Sequence, residues 1–232
     1  MWGQVQTPLR VLSGLLSRMV PEPAVELSMR RSLPAAPEAV ERGELDGVFG
    51  RPYDLPRGLP AGLARRPFVL DSLNVIATDG HPFAACRQIT AAKLRETGLW
   101  YPLDSRSNAP ELVGWLRRYA AQNAVPLTLA GINLGLEQLL TELPEHHPAV
   151  STVPDSWQIP ADPGIVRIPL QPAAHFLWWF IWPERSSHPV LEQFNVLLDR
   201  IPGPWNGLGR PDGWLPEPDA ADLPWAPPDA GR

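Results

Sequence analysis

Apolar residues recur at helical spacing in Leu9, Leu12, Leu15, Leu16 and Met19, directly after Thr7-Pro8. Threonine is a good N-cap and proline a good first helical residue, so a helix is predicted from Pro8 onward. Residues 24–29 alternate apolar and polar, which predicts a half-exposed strand. Residues 34–42 predict a short helix closed by Gly43, and 45–49 a short strand ended by Gly50 and Pro52. Two apolar runs follow at 68–70 and 73–77. Thr90 then caps a short helix, 99–103 is strand-like, and Ser107 or Asn108 caps a long helix over 109–121. The pattern continues with a strand at 127–130, a helix at 134–143, strands at 165–170 and 174–182, and a last helix, Pro189–Leu198.

Strands alternating with helices predict an α/β fold with largely parallel sheets. From residue 201 to 232 the periodicity stops and proline, glycine and acidic residues take over, which predicts a disordered or loosely packed tail. Trp205, Trp214 and Trp225 stand out there, either docking back onto the domain or serving a partner. The most apolar stretch, residues 173–182, is about half the ~20 residues that a membrane-spanning helix needs. Pro172 and Pro183 bound it, as suits a buried strand, and no membrane association is expected.

Composition narrows the function. The 232 residues carry a net charge of −5, so there is no basic excess with which to grip phosphates. Lys93 is the only lysine and the arginines are scattered. Cys86 stands alone, which rules out an intrachain disulfide, and no secretory signal opens the chain. These features fit a cytoplasmic protein. No metal is expected: His146 and His147 are adjacent, and His81, His175 and His188 are isolated. No cofactor is expected either, because phosphate-binding glycine loops and nucleophile elbows are absent from the sequence. Gly131-Ile132-Asn133, between a strand and a helix, offers N–H groups to an anion or simply makes the turn.

Several segments, in order, resemble the effector-binding (substrate-binding) domain of LysR-type transcriptional regulators. Residues 39–51 (AVERGELDGVFGR) are similar to that family's helix, "GELD" and short strand. Residues 58–85 resemble its interlobe strand, ending in His81-Pro82-Phe83. Residues 89–94 resemble its "vT…L" helix start, while 167–170 and 176–198 resemble its closing strands and last helix. The resemblance implies a type II periplasmic-binding-protein-like fold, with two α/β lobes joined by two crossover strands. Lobe I is expected over 1–76 and 165–200, lobe II over 77–164, followed by the tail. It further implies a small-molecule effector between the lobes, no catalysis, and an antiparallel homodimer through the first helix and the 24–29 strand edge. DNA would be reached only through a winged helix-turn-helix, which is not in this sequence; the first strand of lobe I also has no counterpart. A stand-alone binding protein or repurposed enzyme using the same cleft is the alternative, and a fragment unable to fold is a third.

In open α/β sheets, ligands lie at the carboxyl ends of strands, where helix N-termini converge. Four junctions qualify: Gln4, Gln6 and Thr7; Arg31 and Ser32; Asp104, Ser105, Ser107 and Asn108; and Gly131, Ile132 and Asn133. Their hydroxyls, amides and N–H groups suit a small polar or carboxylate ligand, although Thr7, Ser107 and Asn108 also suit plain helix capping. Asp104 disfavours an anion close by. Arg51, at a strand end, either adds positive charge to the cleft or pairs with Asp46 or Glu44.

Overall fold

The computed structural model describes residues 7–19, 21, 24–26, 35–53, 55, 57–103, 110–132, 135–159, 164–200 and 212–223. Two long strands form its axis, β2 (Leu63–Thr78) and β6 (Ile165–Pro183), paired antiparallel over nearly their whole length. With β1 (Val48–Gly50) and β5 (Ser151–Pro154) they make a four-stranded sheet in the order β1-β6-β2-β5. Every pairing in it is antiparallel, which corrects the expectation of largely parallel sheets. Among the described residues, parallel pairing is confined to β3 (Leu99–Tyr101) with β4 (Leu127–Leu129), and to single bridges such as Leu99 with Val150. The reason is topological: the two strands that run the length of the molecule go in opposite directions.

Each long strand looks like two short ones in the sequence because polar residues interrupt its apolar run. In β2 these are Asp71 and Ser72, both satisfied inside the structure. Asp71 accepts from Ser156 Oγ at 2.9 Å, and Ser72 Oγ lies 3.1 Å from His175 Nδ1. His175 Nε2 is 3.0 Å from the Asp212 carbonyl oxygen. A carbonyl can only accept, so Nε2 donates, and in the neutral imidazole Nδ1 accepts from the Ser72 hydroxyl.

Packing divides at the middle of these strands. One half of the sheet is covered on one face by α1 (Thr7–Leu16) and α6 (Pro189–Leu198), which bury Leu12, Leu15, Leu191, Phe194 and Leu198 against Phe68, Val69 and Phe180. On its other face α2 (Ala36–Glu41) buries Ala36 and Val40 against Val48, Leu177, Trp179 and Ile181. The remaining half of β2 and β6 joins a separate core of Trp100, Trp115, Leu116 and Tyr119, built on α3 (Ala91–Thr97), α4 (Pro110–Asn123) and α5 (Leu136–Glu142). The change of core falls between Leu70 and Leu73 in β2 and between Phe176 and Leu177 in β6. Residues 165–176 of β6, expected with lobe I, contribute Ile168, Leu170, Ala174 and Phe176 to this second core.

Local rules account for the helix ends. Thr90 caps α3 by accepting from Lys93 N at 3.4 Å, and α6 carries Pro189 at its start. Residues 24–26 have no regular structure, and 27–29 lie outside the described residues. The C-terminal expectation needs correction for 212–223, which are packed rather than disordered. They carry a short helix, α7 (Glu217–Ala221), with Leu215 and Leu223 buried against Val48 and Trp179. Burying a leucine is worth about 1.5–3 kcal/mol, enough for two such residues to seat a short segment.

Candidate functional site

Arg51 immediately follows β1, at the carboxyl end of that strand, and is fully buried. Its Nε and Nη2 lie 2.8 and 2.7 Å from Oδ2 of Asp219, whose side chain is equally inaccessible. Its Nη1 reaches the carbonyl of Glu111, in the first turn of α4, at 3.4 Å. A strand end of lobe I thus meets a helix N-terminus of lobe II, with a guanidinium between them. Arg51 was expected to pair, if at all, with Asp46 or Glu44; its partner is instead Asp219, 168 residues away in sequence. Glu44 pairs with the exposed Arg42, at 2.7 Å. Local sequence offers Arg51 a carboxylate, but the strand end aims it into the seam.

Glu111 completes a charged cluster. Burial pushes its carboxyl up to about 7, against a smaller downward pull from its own backbone N–H and from Arg51. Its Oε2 is buried with no hydrogen-bond partner among the described residues. Desolvation favours the protonated form of Glu111 beside the Arg51–Asp219 pair.

The segment 212–223 spans both lobes. On lobe I, Trp179 Nε1 donates to Asp219 Oδ1 at 3.4 Å, and Tyr53 Oη donates to Asp222 Oδ2 at 2.6 Å. Arg65 pairs with the same Asp222. Burial first, and then that hydrogen bond, drives the Tyr53 hydroxyl far above its ordinary range and keeps it a donor. On lobe II, the Trp214 ring stands edge-on to Trp115 and Tyr119, with centroids 5.1 and 5.0 Å away. Its Nε1 donates to Gln122 Oε1 at 2.5 Å. At the crossover, Trp214 N donates to the Ala173 carbonyl at 2.7 Å, and His175 N donates to the Trp214 carbonyl at 2.9 Å. Gly213 is required here: its φ is +134°, and a Cβ would sit 2.3 Å from the Ala173 carbonyl oxygen. An open groove of about 560 Å³ remains between this segment and α4, lined by Gln122, Pro172, Trp214 and Glu217.

The structure brings together only part of the predicted site. Arg51 reaches α4, the helix that follows the expected junction of Asp104, Ser105, Ser107 and Asn108; those four lie outside the described residues. Gln4, Gln6, Arg31, Ser32 and Asn133 also lie outside them, and so does the side chain of Thr7, whose backbone opens α1. Gly131 has φ +108° and packs toward Pro102, while Ile132 is exposed at the end of lobe II. Both positions precede α5, a helix of only seven residues. The histidines have local roles: His81 accepts from Phe83 N at 3.0 Å and bonds the Pro148 carbonyl at 3.1 Å, and His146 stacks on Trp100. Cys86 accepts from Lys93 Nζ at 3.1 Å. Among the described residues, no group of three potential ligands could hold a metal ion, and no helix is long and apolar enough to cross a membrane. Glu111, Asp219 and Trp214 were not predicted as site residues. The one signal for them was the tryptophan density of the tail.

The model of the family described as the LysR substrate binding domain matches residues 10–200. The chain belongs to the LysR substrate-binding-domain family. Its fold is accordingly type II periplasmic-binding-protein-like, and the family is one of regulatory effector domains. No curated protein matches by sequence. Among solved structures, the BenM effector-binding domain with its effector benzoate superposes with TM-score 0.65 at 17% identity, over 89% of this chain and 90% of that one. The reduced OxyR regulatory domain from Pseudomonas aeruginosa gives 0.62 at 19% identity, over 84% and 91%. Full-length CbnR complexed with its target DNA gives 0.64 at 18% identity, over 84% of this chain but 66% of CbnR. This LysR-type chain spans about two thirds or less of the full-length regulators it resembles, 61% in the case of full-length BenM.

Proposed function

We propose that this chain is the ligand-sensing part of a LysR-type transcriptional regulator. It binds a small polar metabolite between its lobes and performs no chemistry on it. The observation that carries this reading is the contact between Arg51, at the end of β1, and Glu111, in the first turn of α4. Strand ends meeting helix N-termini across a seam are where open α/β folds take ligands. The full site then combines Arg51 with the junctions around Gln4, Gln6 and Thr7, Arg31 and Ser32, Asp104 to Asn108, and Gly131 to Asn133.

In a complete regulator, a ligand that favours one lobe arrangement shifts how subunits pack, and so how they engage DNA. Only its differential affinity for the two arrangements does that work. An antiparallel homodimer through α1 would carry the signal, in the cytoplasm, to a winged helix-turn-helix. Thermal-shift screening of the full chain against small acids, amines and aromatic metabolites tests the reading. A saturable rise in melting temperature is expected from at least one compound, and it should be paired with reduced hydrogen exchange in peptides covering 104–112. A cooperatively folded chain whose seam gains no protection with any compound contradicts it.

A further inference from the structure

We propose that residues 213–223 are a built-in occupant of the ligand seam. They form a strap across both lobes whose Asp219 carboxylate fills a carboxylate-recognition site made by Arg51. The ligand class this assigns to the seam is a small carboxylic acid, which takes the Arg51 guanidinium only when the strap lifts. The proposal rests on the seam being the effector site, and it adds the chemistry of the ligand and the way the site is guarded.

Three observations lead there. First, Arg51 meets a single carboxylate oxygen with two of its nitrogens, at 2.7 and 2.8 Å, in a fully buried setting. A permanently charged guanidinium held out of water is a strong carboxylate site, because nothing else neutralises it as well. Second, the carboxylate is delivered from the far end of the chain by a segment that grips each lobe separately. It holds lobe I through Tyr53, Trp179 and Arg65, and lobe II through Trp115, Tyr119 and Gln122. A segment bonded to both lobes fixes their separation while it is seated. Third, the family match ends at residue 200, so the strap lies outside the matched segment. Among the described residues, the charged and titratable groups facing the Arg51 site include Asp219 from the strap, Glu111 from α4 and Tyr53, whose ring centroid lies 5.2 Å from the guanidinium. A tethered Asp219 is present at high effective concentration, so an incoming acid competes with it rather than filling a vacancy. Effector binding and strap release then become one event.

The test uses the full chain with Asp219→Ala, which removes a group the size of formate and leaves Arg51 in place. Thermal melts are compared in sodium formate and in sodium chloride at equal ionic strength. The expected result is a saturable, formate-specific rise in melting temperature for Asp219→Ala, with no such rise for the unaltered chain. Adding Arg51→Met to the variant should abolish it. Gly213→Ala serves as an independent route, since it unseats the strap while keeping both charges; it should gain the same formate response and expose 212–223 to hydrogen exchange at least tenfold faster. A cooperatively melting Asp219→Ala or Gly213→Ala chain indifferent to formate would overturn the proposal. Failure of the metabolite screen with formate rescue intact would sink the effector reading and leave the Arg51 site standing. Rescue failing alongside a positive screen would do the reverse.

Discussion

Replacing Glu111 with glutamine should stabilise the protein at high pH and leave it unchanged at low pH. The carboxyl is moved from an ordinary 4.5 to about 7, chiefly by burial at the start of α4. The sign follows from proton uptake. Between these two values the folded chain holds a proton that the unfolded chain releases, so stability falls as pH rises from about 4.5 to 7. Below that window the group is neutral in both states and costs nothing; above it the full penalty is present. At about 1.36 kcal/mol per pH unit, the displacement corresponds to roughly 3 kcal/mol as an upper figure, since residual solvent reduces it. Glutamine keeps the shape and has no charge to desolvate. Urea melts followed by circular dichroism from pH 4 to pH 8 give the comparison directly. The difference between Glu111→Gln and the parent should grow from about zero at pH 4 to as much as ~3 kcal/mol in favour of glutamine at pH 8. A difference that is flat across this range, or that favours glutamate at pH 8, refutes the desolvation argument.

Arg51→Met leaves Asp219 buried without its cation and should cost about 3–5 kcal/mol in urea melts, while adding Asp219→Leu should recover most of that loss. If the double variant is no better than the single one, the pair is not an isolated buried unit. Trp115→Phe removes the donor that lies 2.9 Å from the His175 carbonyl and should cost about 1–3 kcal/mol, together with loss of amide protection around His175. Unchanged protection there would mean that another donor replaces it.

Local order was legible and long-range pairing was not. Thr90 as a cap, Pro189 at the start of α6 and the buried stripe of Leu12, Leu15 and Met19 follow from spacing within one or two turns. The family's segment order supplied the two lobes. By contrast, β6 reads as two strands because Gln171-Pro172 interrupts its apolar run, yet it pairs with β2 on both sides of that interruption, Pro169 opposite Asn74 and Ala174 opposite Leu73. The parallel sheet expected from alternating elements fails for the main sheet because direction is set by the two crossover strands. Arg51 has carboxylates nearby in sequence, and nothing local says that Asp219 would outcompete them. The low periodicity of the tail hid a segment held by a few large contacts, Trp214, Leu215, Asp219 and Leu223, rather than by an amphipathic helix. A binding seam built from residues 51, 111 and 219 is a tertiary object, visible only once the chain is folded.

The central claim, that a small metabolite is sensed between the lobes, is tested most directly by indole ¹⁵N–¹H NMR of the tryptophan-labelled full chain. The spectra would be titrated with a compound found by the thermal-shift screen. Trp115, Trp179 and Trp214 surround the seam, and their Nε1 atoms bond His175 O, Asp219 and Gln122. Trp182, stacked on Phe180 beneath α1 and α6, lies in the packing of lobe I. Saturable shifts are expected at the three seam signals, with Trp182 unmoved. Shifts confined to Trp182, or saturable binding that leaves all three seam indoles in place, would contradict it.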